Sequence, residues 1–135
     1  MSRIAILEAD TPMQKVQERY GKGYGDIFKP LFSKAAQSLK MPDPAYSVFD
    51  IRLNPSEYPD PSKLDAIIIT GSRYNSYDCD DWIMRLVEFC GMVYRDYPHV
   101  KLIGKFAKIM LKKKIKIIHL IKHSLFQGFV LDIKY

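Results

Sequence analysis

Four short runs rich in β-branched, aromatic or aliphatic residues, each closed by glycine, proline or charge, narrow the folds open to this chain. They are Ile4 to Leu7, Tyr46 to Asp50, Leu64 to Thr70 and Val100 to Ile103. Each is four to seven residues long, the length of a strand, and two of them are apolar throughout their centres, as strands buried on both faces are. Between them lie segments with apolar residues at helical spacing. Alternating strands and amphipathic helices require a parallel sheet with right-handed crossovers and helices packed on its faces. The expected order is βα-βα-βα-β, or βα-β-loop-βα-β if the proline-rich stretch takes the place of a helix. Ile4 to Leu7 is expected as the first and central strand. In such sheets ligands bind beyond the carboxyl ends of the strands, so the informative loops follow Leu7, Phe49, Thr70 and Ile103.

Thr11 before Pro12 suits a helix N-cap with proline at the first helical position, and a helical pattern continues through Val16 and Tyr20. Gly21-Lys22-Gly23-Tyr24-Gly25 then interrupts it. The glycine spacing resembles a phosphate loop, but it does not stand directly between a strand and a helix start, so a hinge between two helical pieces is expected. In the second piece Ile27, Leu31, Phe32, Ala35, Ala36 and Leu39 mark one face. Arg52 to Ser62, with Pro55, Pro59 and Pro61, reads as an irregular surface loop. After Asp80 and Asp81, which suit a cap, Trp82, Ile83, Leu86, Val87, Cys90 and Val93 or Tyr94 recur at helical spacing.

Charge divides the chain unevenly. Residues 1 to 104 carry 13 Lys and Arg against 14 Asp and Glu, whereas residues 105 to 135 carry 8 lysines against Asp132 alone. The basic excess, with a sequence pI near 9.3, therefore belongs to one segment and not to a shared folded surface. The apolar start at Ile4 is too short for a signal peptide, and no run approaches the roughly 18 apolar residues of a membrane span. Two cysteines, Cys79 and Cys90, suit free thiols in a reducing compartment, so a cytoplasmic protein is expected. Cys90 lies on the apolar helical face and reads as a buried small residue. His99 beside Pro98 reads as a loop residue. His119 and His123 stand four apart without a third ligand nearby, so neither a metal nor a cofactor is expected.

The front of the chain resembles a class I glutamine amidotransferase-like domain of the small stand-alone fungal and microbial kind. The resemblance is carried by Ile4 to Asp10, by Asp65-Ala66-Ile67-Ile68-Ile69-Thr70-Gly71-Ser72-Arg73-Tyr74-Asn75-Ser76-Tyr77-Asp78, by the helix containing Trp82, and by Val100 to Gly104. It covers about residues 1 to 104, and Thr-Gly-Ser-x-x-x-x-Tyr-Asp is its most specific part. It implies an α/β fold, a flavodoxin-like three-layer sandwich with a mostly parallel sheet, incomplete at its C-terminal half. It also implies a chemistry: transfer or hydrolysis of the amide nitrogen of glutamine or a γ-glutamyl compound through a cysteine thioester.

In that family the loop after the third strand gives backbone N–H groups to an oxyanion hole, and Gly71 and Ser72 match it. The nucleophile stands in a Gly-x-Cys-x-Gly-x-Gln elbow after the fourth strand. Gly104 matches the first glycine of that elbow, but Phe106 stands at the thiol's position and Lys108 at the second glycine's. A phenyl ring cannot attack an amide carbonyl. The family also uses a later histidine and glutamate as partners; His119 and His123 remain, but no glutamate follows Glu88, so that His/Glu pair is absent. The resemblance therefore implies a domain fragment truncated before its nucleophile elbow, a pseudoenzyme. A binding module that still holds a small carboxylate or amide ligand, or a protein partner, is the alternative.

Lys105 to Tyr135 reads as a divergent, Lys- and Ile-rich tail. One origin is translated non-coding sequence, since Gly104-Lys105 permits a codon pair containing a splice-donor-like GTAAA. A rival reading gives it work: Leu111, Ile115, Ile118 and Leu125 form an apolar stripe with lysines nearby, as in a helix on an anionic membrane or against nucleic acid. Strands at Lys116 to Leu120 and Phe126 to Ile133 would instead cover a sheet edge.

Overall fold

The computed structural model describes residues 1–73 and 80–104. Four parallel strands, β1 (Arg3–Glu8), β2 (Ala45–Asp50), β3 (Ala66–Ile69) and β4 (Lys101–Ile103), form one sheet in the order β2-β1-β3-β4. β1 pairs with β2 from Arg3↔Ala45 to Glu8↔Asp50 and with β3 from Ile4↔Ala66 to Leu7↔Ile69, so it is an interior strand as expected. The side chains of Ala5, Ile6 and Leu7 are fully buried, because both faces of β1 are covered. The fold is thus α/β with a parallel sheet.

The chain steps from β1 outward to β2, and from β3 to β4 in the opposite direction. Right-handed crossovers then put the connecting helices on opposite faces. On one face α3 (Asp81–Asp96) meets Ala5, Leu7, Ile67, Ile69 and Leu102 through Ile83, Leu86, Val87, Cys90 and Val93, the stripe expected from its sequence. On the other, α2 (Tyr24–Ser38) lies near β1 and β2, the side to which Ile6, Val48 and Ile68 belong. Gly25 is buried directly beneath Val48: a Cβ there would stand 2.9 Å from both valine methyls.

That close approach corrects the expected face of α2. Small residues, Gly25 and Ala36, make the buried line, and Leu31 and Leu39 fall to one side of it at 57% and 69% exposure. The hinge at the glycines is present, with α1 (Gln14–Tyr20) ending at Gly21 and α2 starting after Gly23. Thr11, however, is not the cap of α1. The helix begins at Gln14 with Met13 as its N-cap, while Thr11 turns its N–H to Asp10 Oδ1 at 2.7 Å. The hydroxyl that would have capped a helix instead accepts from Arg52 Nη2 at 3.0 Å.

The link from β2 to β3 carries no α-helix, which selects the second of the two expected orders. It is not wholly a surface loop either. Ile51, Pro59, Pro61 and Leu64 are buried, Tyr58 lies over Phe89 with ring centroids 4.4 Å apart, and Pro61–Lys63 form one 3₁₀ turn capped by Asp60. Prolines have no N–H to bury, so this segment can cover the α3-side core without the cost that other irregular chain would incur. β3 is also shorter than the expected Leu64 to Thr70, because Leu64 ends the 3₁₀ turn and the Asp65 side chain accepts the Arg3 N–H at 2.7 Å. Tyr77, Asp78, Cys79, Phe106, the tail histidines, the tail stripe, its candidate strands and the expected incompleteness of the sheet's C-terminal half lie outside the described residues.

Candidate functional site

All four strands point their carboxyl ends to one edge, and three devices shape the loops there. The first is Thr70, 1% exposed at the end of β3. Its N–H donates to Leu7 O at 3.0 Å, and its hydroxyl accepts the Ala9 N–H at 2.9 Å. The hydroxyl's own proton is donated to Gly71 O at 3.4 Å, so both of its roles are filled and Thr70 ties the end of β3 to the end of β1. Gly71 and Ser72 leave the sheet from that fixed point.

The second device is Asp10, whose side chain is 7% exposed. Its Oδ2 accepts the Arg73 N–H at 2.9 Å, and its Oδ1 accepts the Thr11 N–H at 2.7 Å. Two guanidiniums flank Oδ1, Arg52 Nη1 at 3.6 Å and Arg73 Nε at 3.5 Å. Arg52 also donates through Nη2 to Thr11 Oγ1 at 3.0 Å. A carboxylate removed from water costs heavily unless donors surround it, and here four do. One side chain therefore fixes the loops after β1, β2 and β3 relative to one another. Asp50 secures the β2 end in turn, its Oδ1 accepting the N–H groups of Arg52 at 3.1 Å and Leu53 at 3.0 Å.

The third is Glu8, whose Oε2 accepts the Gly25 N–H at 3.1 Å, at the N-terminus of α2. Asp26 closes the same end by accepting the Gly23 N–H at 3.4 Å. The Gly-x-Gly-x-Gly segment thus holds an anion at a helix start, but the anion is the protein's own carboxylate. A hinge, and not a phosphate loop, is what the glycines make.

Gly71 is exposed, and a Cβ built on it would meet nothing within 4 Å. A side chain is therefore not excluded there by packing among the described residues, close to the Asp10 cluster. Gly104 is the opposite case. Its φ is +137°, and a Cβ would stand 2.4 Å from the Ile69 carbonyl oxygen. The pairing Ile68↔Ile103 puts β3 and β4 side by side, so Gly71 and Ser72 after one strand and Gly104 after the other emerge from adjacent strands at one edge.

The remaining thiol and imidazole among the described residues are elsewhere. Cys90 is fully buried against the sheet, and burial pushes its thiol pKa up to about 12. A thiol kept neutral in a sealed core is no nucleophile. His99 is exposed in the turn before β4, at the amino edge of the sheet and away from the loops just described. Among the described residues no group of three or more His, Cys, Asp or Glu could hold a metal ion, and no helix is long and apolar enough to cross a membrane.

Asp10, Arg52 and Glu8 were not legible as site residues in the sequence, where Glu8 to Pro12 reads as a polar turn and Arg52 as the start of a loop. The available signal was their position, immediately after buried strands of a parallel sheet.

No family model matches the chain. A glutamine amidotransferase-like protein of Schizosaccharomyces pombe is 35% identical over 105 residues, which are 75% of this chain and 42% of that protein. The chain thus spans less than half the length of the curated relative it matches. The sequence identity, together with a parallel α/β sheet, makes this chain a partial relative of the glutamine amidotransferase-like proteins.

Proposed function

We propose that residues 1–104 are the oxyanion side of a glutamine amidotransferase-like domain that binds the amide carbonyl of glutamine or a γ-glutamyl compound without hydrolysing it, in the cytoplasm. Gly71 and Ser72 supply the backbone N–H donors for the carbonyl oxygen. Gly104 and Phe106 occupy the position of the nucleophile elbow, and residues 105–135 form a separate divergent tail. The supporting observation is the open face of Gly71, on a loop that Thr70 and Asp10 hold rigidly at the carboxyl edge of the sheet.

Donors fixed before the ligand arrives bind a polarised oxygen without reorganising, which is how an oxyanion hole works. Bond breaking needs more. A tetrahedral intermediate forms only if a nucleophile adds to the carbonyl carbon, and neither a phenyl ring at position 106 nor the buried Cys90 thiol can add. Glutamine would therefore be held and released unchanged.

Two measurements on the purified full-length chain test this. Calorimetric titration with L-glutamine should give saturable binding, weakened at least tenfold by Gly71→Ala, whose methyl would project into the ligand's space. Ammonia released from glutamine should not exceed the buffer control. Sustained ammonia release abolished by Cys79→Ser would refute the non-catalytic reading, and absence of glutamine binding would refute the binding role.

A further inference from the structure

The link from β1 to α2 is fastened at its two ends and little in between. Both fastenings belong to the carboxyl end of β1. Asp10 Oδ1 accepts the Thr11 N–H and Arg52 Nη2 donates to the Thr11 hydroxyl, while Glu8 Oε2 accepts the Gly25 N–H. Between these ties lies α1, seven residues long and without a buried residue. Among the described residues no side chain from Met13 to Tyr20 bonds outside the link: Gln14 pairs with Glu18, Gln17 donates to Pro12 O, and the Arg19 guanidinium stands over the Tyr20 ring. A helix held by its ends has little packing to break when it moves.

The far end of α1 can pivot. Gly21, at φ +118°, and Gly23 follow the helix, and glycine absorbs backbone rotation at the least cost. α1 is nevertheless amphipathic. Met13, Val16, Gln17 and Tyr20 share one face by the helical period, opposite Lys15 and Glu18. Met13 is 76% and Tyr20 53% exposed, so the apolar stripe stands largely in water, where any surface that covers it is favoured.

We propose that α1 is a lid, which swings on Pro12 and on the glycines after it to lay Met13, Val16 and Tyr20 over a ligand at the carboxyl edge of the sheet. The root of the lid and the loop after β3 meet on one carboxylate, since Asp10 accepts the N–H groups of both Thr11 and Arg73. The inference rests on the proposed binding at Gly71 and Ser72, and adds how that site closes. A ligand favours the closed state by the contacts the stripe makes with it there.

The test is amide exchange of residues 13–21 in the full-length protein, with and without saturating L-glutamine, beside calorimetric titration. Glutamine should slow exchange in that segment roughly tenfold. Met13→Gln with Tyr20→Gln makes two exposed side chains polar, so it should leave the urea midpoint unchanged but weaken glutamine binding roughly tenfold, through faster dissociation. Met13→Leu with Tyr20→Phe, apolar again, should recover most of the affinity. If glutamine binds without slowing exchange at 13–21, or if the glutamine double variant binds as tightly as wild type, α1 is no lid and the amide-binding proposal survives. Protection that follows protein concentration and not glutamine would mean that a second copy covers the stripe, and would also overturn the lid. If glutamine does not bind, both proposals fail together.

Discussion

Alanine at position 104 tests the geometry of the site edge directly, because the same substitution at position 71 provides its control. At Gly104 the methyl meets two obstacles. A φ of +137° lies where L side chains are strained, at roughly 1–3 kcal/mol. The methyl carbon would also stand 2.4 Å from the Ile69 carbonyl oxygen, a backbone atom that cannot swing aside. Relief requires β4 to move off β3, and β4 is held there by a ladder of only three residue pairs, Ala66↔Lys101 to Ile68↔Ile103. Each ladder hydrogen bond weakened costs about 0.5–1.5 kcal/mol. The total comes to about 2–4 kcal/mol, a large share of the roughly 5–15 kcal/mol that stabilises a domain.

Urea unfolding is the assay, followed by fluorescence of Trp82, which is the only tryptophan of the chain and packs against the α3-side core. With a urea slope of about 1–3 kcal/mol/M, the Gly104→Ala midpoint should fall by about 1 M or more. Gly71→Ala should stay within about 0.5 kcal/mol of wild type, the range of exposed substitutions that touch nothing. Equal stability of all three proteins would refute the close approach of Gly104 to β3. A loss at Gly71 equal to that at Gly104 would refute the open surroundings of Gly71 on which the proposed ligand binding depends.

Asp10→Asn should destabilise by about 1–3 kcal/mol, since it keeps the shape but removes the buried negative charge that both guanidiniums flank; equilibrium denaturation measures it, and an unchanged midpoint would contradict the tying role of Asp10. In a Cys79→Ser background, Cys90 should resist a thiol reagent at pH 8 until urea unfolds the protein. The sign follows from burial: the fold favours the neutral thiol, so its contribution is intact below the unfolded thiol's pKa of about 8.5 and is lost as pH rises toward about 12. Rapid labelling of native protein at pH 8 would count against that packing. Asp65, held below the usual carboxylate range chiefly by the Arg3 N–H, contributes on the acid side. Its stabilisation is present above the unfolded pKa of about 3.9 and is lost as pH falls through the lowered folded value, so the stability gap between wild type and Asp65→Asn should close below about pH 4. A gap that persists at pH 2 would mean that the side chain acts by something other than its charge.

The strands were readable in one dimension because each is set by its own residues. Ile4 to Leu7 had to be interior, since four apolar side chains in succession leave no polar face for solvent. The stripe of α3 was readable for the same reason: Ile83, Leu86, Val87, Cys90 and Val93 repeat at the helical period and find the sheet whatever else surrounds them. α2 shows where that reasoning stops. Its larger apolar residues predict one face, but Gly25 and Ala36 let the helix sit close to the sheet along another, and a helix packs by distance of approach as well as by apolar area. The Thr11-Pro12 pair carries a helix-start signal that the structure spends on a turn, because Asp10 and Arg52 compete for the same threonine.

By itself, then, the sequence determined the α/β class, the central strand, the buried stripe of α3, the glycine break after α1, and the resemblance around Gly71 and Ser72. Only the tertiary structure decided that the loops after β1, β2 and β3 are tied together at one edge of the sheet. Asp10 meets Arg73 across 63 residues, and Arg52 meets Thr11 across 41. Propensity and periodicity act over a few neighbouring residues, whereas a buried carboxylate takes its donors from whichever strand ends the sheet brings within reach, and no local pattern announces which those are.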